Sequence, residues 1–282
     1  MCAKKNELTK PSDNELTVLP QFMVQDEYLG LDELEKFITP PRLKLVQPQS
    51  SDMLKSVFNE GDTVMVPQLV LVADMLLDEK GKSTKKGRPF HFCPIFFFPE
   101  WIIINPFEMK GTLNFVRERS TDVHSQIAIK ARSRDSKARY VPCPENPSLS
   151  LRYVEVLNYV ALLVGEGITA GSAVIMSFSK SEHRTGETLN HLVKMRKAPI
   201  FGGVYEARAA YRTNDKGNWY GWDVCNPSED SGISPWVPAE MYDALKAQHL
   251  EFKLAHHEAR LVVDHDSDEV YEETPTSTSE AY

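Results

Sequence analysis

The chain has 282 residues, 41% hydrophobic and 10% aromatic, which suits one large β-rich domain with a real core. No run approaches the roughly eighteen uncharged apolar residues of a spanning helix, and the start MCAKKNELTKPSDNE lacks the apolar stretch of a signal peptide. These features exclude a helical membrane protein and lead to the expectation of a cytoplasmic one. The net charge of −8 is unevenly spread: residues 80–216 hold 22 Lys and Arg against 12 Asp and Glu, and both ends are acidic. A basic middle between acidic ends is the pattern of a polyanion-binding body with an acidic appendage.

In chain order, residues 1–36 read as a flexible acidic arm with a modest amphipathic run in DEYLGLDELEKF. The body, residues 37–262, opens at ITPPRLKLVQPQS, where Pro40-Pro41 blocks a helix and RLKLV alternates like a strand. TVMVPQLVLVADMLL, the charged DEKGKSTKKGR and PFHFCPIFFFPEWIIIN read as strand, long basic loop and strand. Phe90, Phe92, Phe96 and Phe98 alternate onto one face and are expected in the core. Residues 117–139 are basic and poor in large apolar groups, hence a long flexible stretch.

SLRYVEVLNYVALLV and GSAVIMSFS read as two further strands joined through GEGITAG. KSEHRTGETLNHLVKMR predicts a short helix starting near Ser181 or Thr185, with Leu189, Leu192 and Val193 inward. VYEARAAYRTNDKGNWYGWDV is a hairpin about the turn residues NDKGN. PAEMYDALKAQHLEFKLAHHEARLVV is an amphipathic helix with Met241, Leu245 and Leu250 on the apolar stripe. Residues 263–282, DHDSDEVYEETPTSTSEAY after Val263, form a tail with seven carboxylates and no Lys or Arg, expected to be disordered.

Catalytic signatures are missing from the sequence. There is no phosphate loop, GxGxxG, HExxH or GxSxG pattern. His183 and His191 stand eight apart without nearby Cys or acid on that face, and DHDSDE lies in a tail that cannot fix ligand geometry. The four cysteines, Cys2, Cys93, Cys143 and Cys225, are far apart with no CxxC pair and read as reduced, mostly buried thiols. No enzyme activity, cofactor or metal is expected.

What remains is cationic and aromatic. Lys80, Lys82, Lys85, Lys86 and Arg88 cluster at the first basic loop. Arg117, Arg119, Lys130, Arg132, Arg134, Lys137 and Arg139 form a second group. Arg184, His191 and Lys194 share a helix face, with Lys180 just before it. In the hairpin, Arg208 and Arg212 project to one side of their strand and Tyr205 and Tyr211 to the other, while Trp219, Tyr220 and Trp222 return on the partner strand. A groove walled by Lys and Arg with aromatic rings at its base holds single-stranded nucleic acid, because phosphates release counterions and each base stacks at about 1–3 kcal/mol. The expected DNA contacts are Lys82, Lys85, Lys86, Arg88, Lys180, Arg184, Lys194, Arg208, Arg212, Trp219, Tyr220 and Trp222. The acidic tail would compete with DNA for the groove at high local concentration, and once displaced would dock on a partner through Asp264, Asp266, Asp268, Glu269, Glu272, Glu273 and the terminal Tyr282.

Two stretches carry a resemblance: ITPPRLKLVQPQSSDM with FNEGD, and SFSKSEHRTGETLNHLVKMRKAPIFGGVYEARAAYRTNDKGNWYGWDV. They resemble segments of single-stranded-DNA-binding proteins of tailed bacteriophages, of OB-fold type. The resemblance implies a mainly β chain, an OB-like antiparallel β-barrel with long basic loops and a C-terminal helix. It also implies that the protein coats single strands in phage replication, recombination or repair in the infected host's cytoplasm and recruits phage or host replication proteins. The tail departs from the acidic tails of such proteins over TPTSTSEAY, which is short of carboxylates. The alternative is a virion structural or assembly protein without a DNA-binding role. A nuclease fits least, since the body lacks clustered carboxylates. Whether the chain forms a homo-oligomer is left open by the sequence.

Overall fold

Pro40-Pro41 ends any helical continuation, and strand β1 (Arg42–Leu45) begins at the next residue, alternating half-buried Arg42 and Lys44 with buried Leu43 and Leu45. The structure, a computed structural model, describes residues 39–109, 114–165, 169–215 and 217–265. Helix α1 (Asp52–Val57), capped by the Ser51 hydroxyl, leads into β2 (Thr63–Val66), β3 (Val70–Ala73), β4 (Met75–Leu77), β5 (Ser83–Gly87) and the long β6 (Phe90–Ile104). Then come β7 (Val116–Ser120), α2 (Gln126–Ala131), β8 (Tyr140–Pro142), β9 (Ser150–Val164), β10 (Ala173–Ser179) and α3 (His183–Met195). The hairpin β11 (Tyr205–Asn214) and β12 (Gly217–Cys225) and helix α4 (Ala239–His257) complete the body. Among the described residues no helix is long and apolar enough to cross a membrane.

The strands form one sheet in the order β3-β2-β1-β10-β9-β6-β11-β5-β4. Its two end strands are consecutive in the chain, with only Asp74 between Ala73 and Met75, so the sheet curls into a nearly closed barrel. The buried Asp62 carboxylate fastens this corner by accepting from the Met75 amide (3.0 Å) and the Asn59 amide (2.8 Å). The pairings are antiparallel except one: β1 runs parallel to β10, with the single register pair Arg42–Ile175.

The barrel interior is filled by Phe92, Tyr159, Met176, Phe178 and Tyr205, and by Leu189 of α3, which plugs one side of it. Gly186 permits this fit, since a Cβ there would stand 2.8 Å from the Phe178 Cβ and 2.9 Å from the Leu157 Cδ1. Leu192 and Val193 pack against the same core, as the helical spacing predicts.

Several expectations need correction. The basic loop at 78–88 is largely a strand: Ser83–Gly87 pairs with β4, and the Asp78 carboxylate accepts from the Lys80 and Lys82 amides (2.9 and 2.8 Å) to set a tight turn. The four phenylalanines are all buried but do not share a face. A bulge between Pro94 and Phe96 inserts one residue, so Phe90 and Phe92 enter the barrel while Phe96 and Phe98 pack outside it against His256 of α4. Residues 117–139 hold β7 and α2, whose Ile127, Ala128 and Ala131 pack on Trp101, Ile103 and Tyr153. On α4 the buried positions are Leu245, Phe252 and Ala255, and Leu250 is exposed, because five residues from Leu245 turn it well off that face. Beyond α4, Val263 and His265 are buried, with His265 Nε2 2.7 Å from the buried Glu100 carboxylate. The arm and the amphipathic run at 26–37 lie outside the described residues.

Candidate nucleic-acid interface

Three clefts carry much of the basic surface, the first sharing a lining residue with each of the other two. The first, of about 370 Å³, lies over the β1–β10 seam and is lined by Arg42 and Lys44 of β1, Ser177 and Ser179 of β10, and Trp219 of β12. The second, of about 550 Å³, is lined by Arg132, Arg139, Arg152 and Arg184 with His183, Glu155 and Glu187. Lys180 lines both. A third, of about 250 Å³, holds Arg117 and Arg119 and joins the first at His265. Lys180 is exposed and held at a left-handed φ of +52°, a strained geometry for a non-glycine residue at the junction of two cavities.

The hairpin register explains which aromatics reach this surface. Opposed residues share a side of the sheet, so Arg208–Asp223 and Arg212–Trp219 face outward, whereas Ala209–Trp222 and Tyr211–Tyr220 face the barrel. Trp219 is half-buried in the first cleft. Tyr220 (7% exposed) and Trp222 (5%) belong to the core, Trp222 packing edge-on to Phe90 at 5.7 Å. Both also line the first cleft and support it from beneath.

The cations divide in the same way. Arg184 and Lys180 lie in the clefts. Arg212 is committed to the protein: it donates to the Trp222 carbonyl (2.7 Å) and the Asp223 carboxylate (3.1 Å), and stands 3.9 Å from Glu182. Arg212 is thus oriented within its own hairpin and lines none of the three clefts. Burial raises the Glu182 carboxyl above its ordinary range, opposed by its hydrogen bond from the Trp222 amide (2.8 Å) and by Arg212 and the Trp219 indole. Lys82, Lys85, Lys86 and Arg88 line none of these clefts; they ride on the β4–β5 hairpin, with Lys85 over the Tyr211 ring at 4.5 Å and Arg88 paired with Asp74 at 2.7 Å. Lys194 is exposed near the end of α3, and Arg208 is half-buried opposite Asp223. Asp264 lies at the third cleft, its carbonyl accepting from Arg42 (2.9 Å). Asp266, Asp268, Glu269, Glu272, Glu273 and Tyr282 lie outside the described residues.

Sequence reasoning missed Arg42 and Arg152. Both sit in strands among apolar neighbours, and only the alternation of RLKLV and SLRYV marks them as outward-facing.

Within the second cleft, Glu155 accepts from the Trp101 indole (3.0 Å) and faces His183 Nε2 at 3.0 Å. The hydrogen bond that the His183 imidazole donates to Glu155 raises the imidazole above its ordinary 6.5 against the opposing effect of burial, and the same bond lowers the Glu155 carboxyl. The imidazole's contribution to stability is present below 6.5 and lost as pH rises through its higher folded value. The carboxylate's contribution is present above its unfolded value of 4.5 and lost as pH falls through its lowered folded value. A His183→Gln variant should therefore be less stable by about 1 kcal/mol between these limits and converge on the wild type at alkaline pH. Urea denaturation across that range measures it, and a deficit constant with pH would refute the pairing.

A family model described as Pam3 phage gp34-like protein matches residues 13–258. The chain belongs to this phage protein family. The match spans the barrel, the hairpin and α4 and takes in every lining residue of the clefts except Val263, Asp264 and His265. Neither the curated proteins nor the solved structures gave a match.

Proposed function

We propose that this phage protein binds single-stranded DNA without strong sequence preference, as a non-enzymatic factor in phage replication, recombination or repair in the host cytoplasm. The observation that carries this reading is the row of adjoining clefts joined at Lys180, with Trp219 in one and four guanidinium groups in the next. Cations hold phosphates at any sequence, and an indole stacks on any base. The β4–β5 hairpin adds Lys82, Lys85 and Lys86 beside β11 as an outlying basic strip. An OB-type relationship is part of the same proposal, supported by the nearly closed barrel plugged by α3.

The acidic tail fits as an intramolecular competitor. Near the junction of the first and third clefts, Arg42 and Arg119 donate to the Asp264 and Val263 carbonyls (2.9 and 3.1 Å). In this proposal the carboxylates that follow Val263 in the sequence compete for these cations, and DNA that displaces them frees the tail for a replication partner.

Titration with oligo-dT, read by tryptophan fluorescence, tests the proposal. Engagement of about five phosphates gives a slope near −3.5 in log affinity against log salt. Removing residues 266–282 should tighten binding. A flat salt response, or no binding at all, would sink the reading and leave a virion structural role in its place.

A further inference from the structure

We propose that the arginine cleft is a dedicated site for phosphate oxygens that together carry more than one negative charge. Four guanidinium groups reach it from four separate elements: Arg132 at the end of α2, Arg139 from the turn after it, Arg152 from β9 and Arg184 from the first turn of α3. Bringing like charges together in a cavity is unfavourable unless an anion joins them. The cleft holds two carboxylates, Glu155 and Glu187, against the four guanidinium groups, and Glu187 stands 3.7 Å from His183 Nδ1. Glu155 is engaged by Trp101 and His183, and Arg132 reaches it only at 3.8 Å.

Among the described residues, Arg139, Arg152 and Arg184 form no ion pair with a carboxylate. Two of them are instead positioned by contacts that leave their charge available. Arg139 donates through Nε to the Ser133 carbonyl (2.9 Å), and Arg152 lies over the Tyr140 ring at 5.7 Å. Guanidinium forks match phosphate oxygens in pairs, and a cavity of about 550 Å³ admits such a group.

One singly charged phosphodiester would leave most of this charge unused. Two sources carry the required chemistry: a terminal phosphomonoester, or two consecutive phosphodiesters of a strand crossing the cleft. This choice rests on the single-strand reading above; the anion site itself does not.

Calorimetric titration of the full chain with pyrophosphate tests the site directly. The wild type should bind, Arg184→Gln should bind roughly tenfold more weakly, and Arg152→Gln combined with Arg184→Gln more weakly still. Arg184 is exposed on α3, so its variant keeps the test valid if the Arg152 change disturbs β9. Lys246→Gln, on the exposed side of α4, should leave pyrophosphate binding unchanged. No pyrophosphate binding by the wild type, or equal binding by the arginine variants, overturns the proposal even if oligo-dT binds. Pyrophosphate binding without oligo-dT binding keeps the site and rejects the single-strand function. Short oligo-dT with a 5′-phosphate or a 5′-hydroxyl then separates the sources: a preference for the phosphate that Arg184→Gln abolishes identifies the terminal group, and equal weakening of both identifies the backbone.

Discussion

Trp222→Ala should lower the free energy of unfolding by about 3–5 kcal/mol, the range for truncating a fully packed tryptophan. The indole is 5% exposed, lies edge-on to Phe90 and belongs to the cluster that lines the barrel. Its backbone is fixed independently: the amide donates to Glu182, and the carbonyl accepts from Arg212 and from the Thr185 hydroxyl (3.2 Å). The surroundings therefore cannot collapse easily into the vacated volume, which places the cost toward the upper end of that range. Chemical denaturation measures it. A loss below about 1 kcal/mol would mean that the ring is not core.

Trp219→Ala should do the reverse. Three residues earlier on the same strand, but on the outward side, it lines the cleft with Lys180 and is only half-buried. Stability should change by about 1 kcal/mol or less. Oligo-dT affinity should fall by the 1–3 kcal/mol that one stacked base contributes, roughly fivefold to a hundredfold. The fluorescence change on binding should disappear with it. Unaltered affinity in a folded Trp219→Ala protein would remove base stacking from the proposal. The pair of variants thus separates the two sides of one pleat.

That pleat also shows what the sequence makes legible. Strands β9 and β10, helix α3 and the β11–β12 hairpin follow from hydrophobic alternation, helical spacing and the NDKGN turn, because each is a local pattern. The sidedness of WYGW was available from the same alternation. With Tyr211 facing inward, its cross-strand partner Tyr220 and then Trp222 must face inward too. Reading the three aromatics as a set, by composition, obscured it.

Other features had no local signal. The bulge at Ile95 reverses the facing of Phe96 and Phe98 through a one-residue offset against β9 that only pairing reveals. The convergence of Arg132, Arg139, Arg152 and Arg184 depends on how α2 and α3 pack beside β9. Lys82 to Arg88 stood out by density alone, yet density does not place a charge in a cavity. Arg212 shows the converse: a cation with the right spacing whose Nη2 is bonded within its own hairpin, away from the clefts.

The lone parallel pairing has a thermodynamic corollary. Strand β1 meets β10 through one register pair, reinforced by the Ile175 amide donating to the Pro41 carbonyl (2.7 Å), whereas β6 and β9 share a thirteen-position ladder. This thin joint is also the floor of the first cleft, with Arg42 and Lys44 on one bank and Ser177, Ser179 and Lys180 on the other. Anything that spans the two banks acts as a suture. Occupancy and barrel integrity then become linked quantities, and the melting temperature should climb with the concentration of the bound molecule.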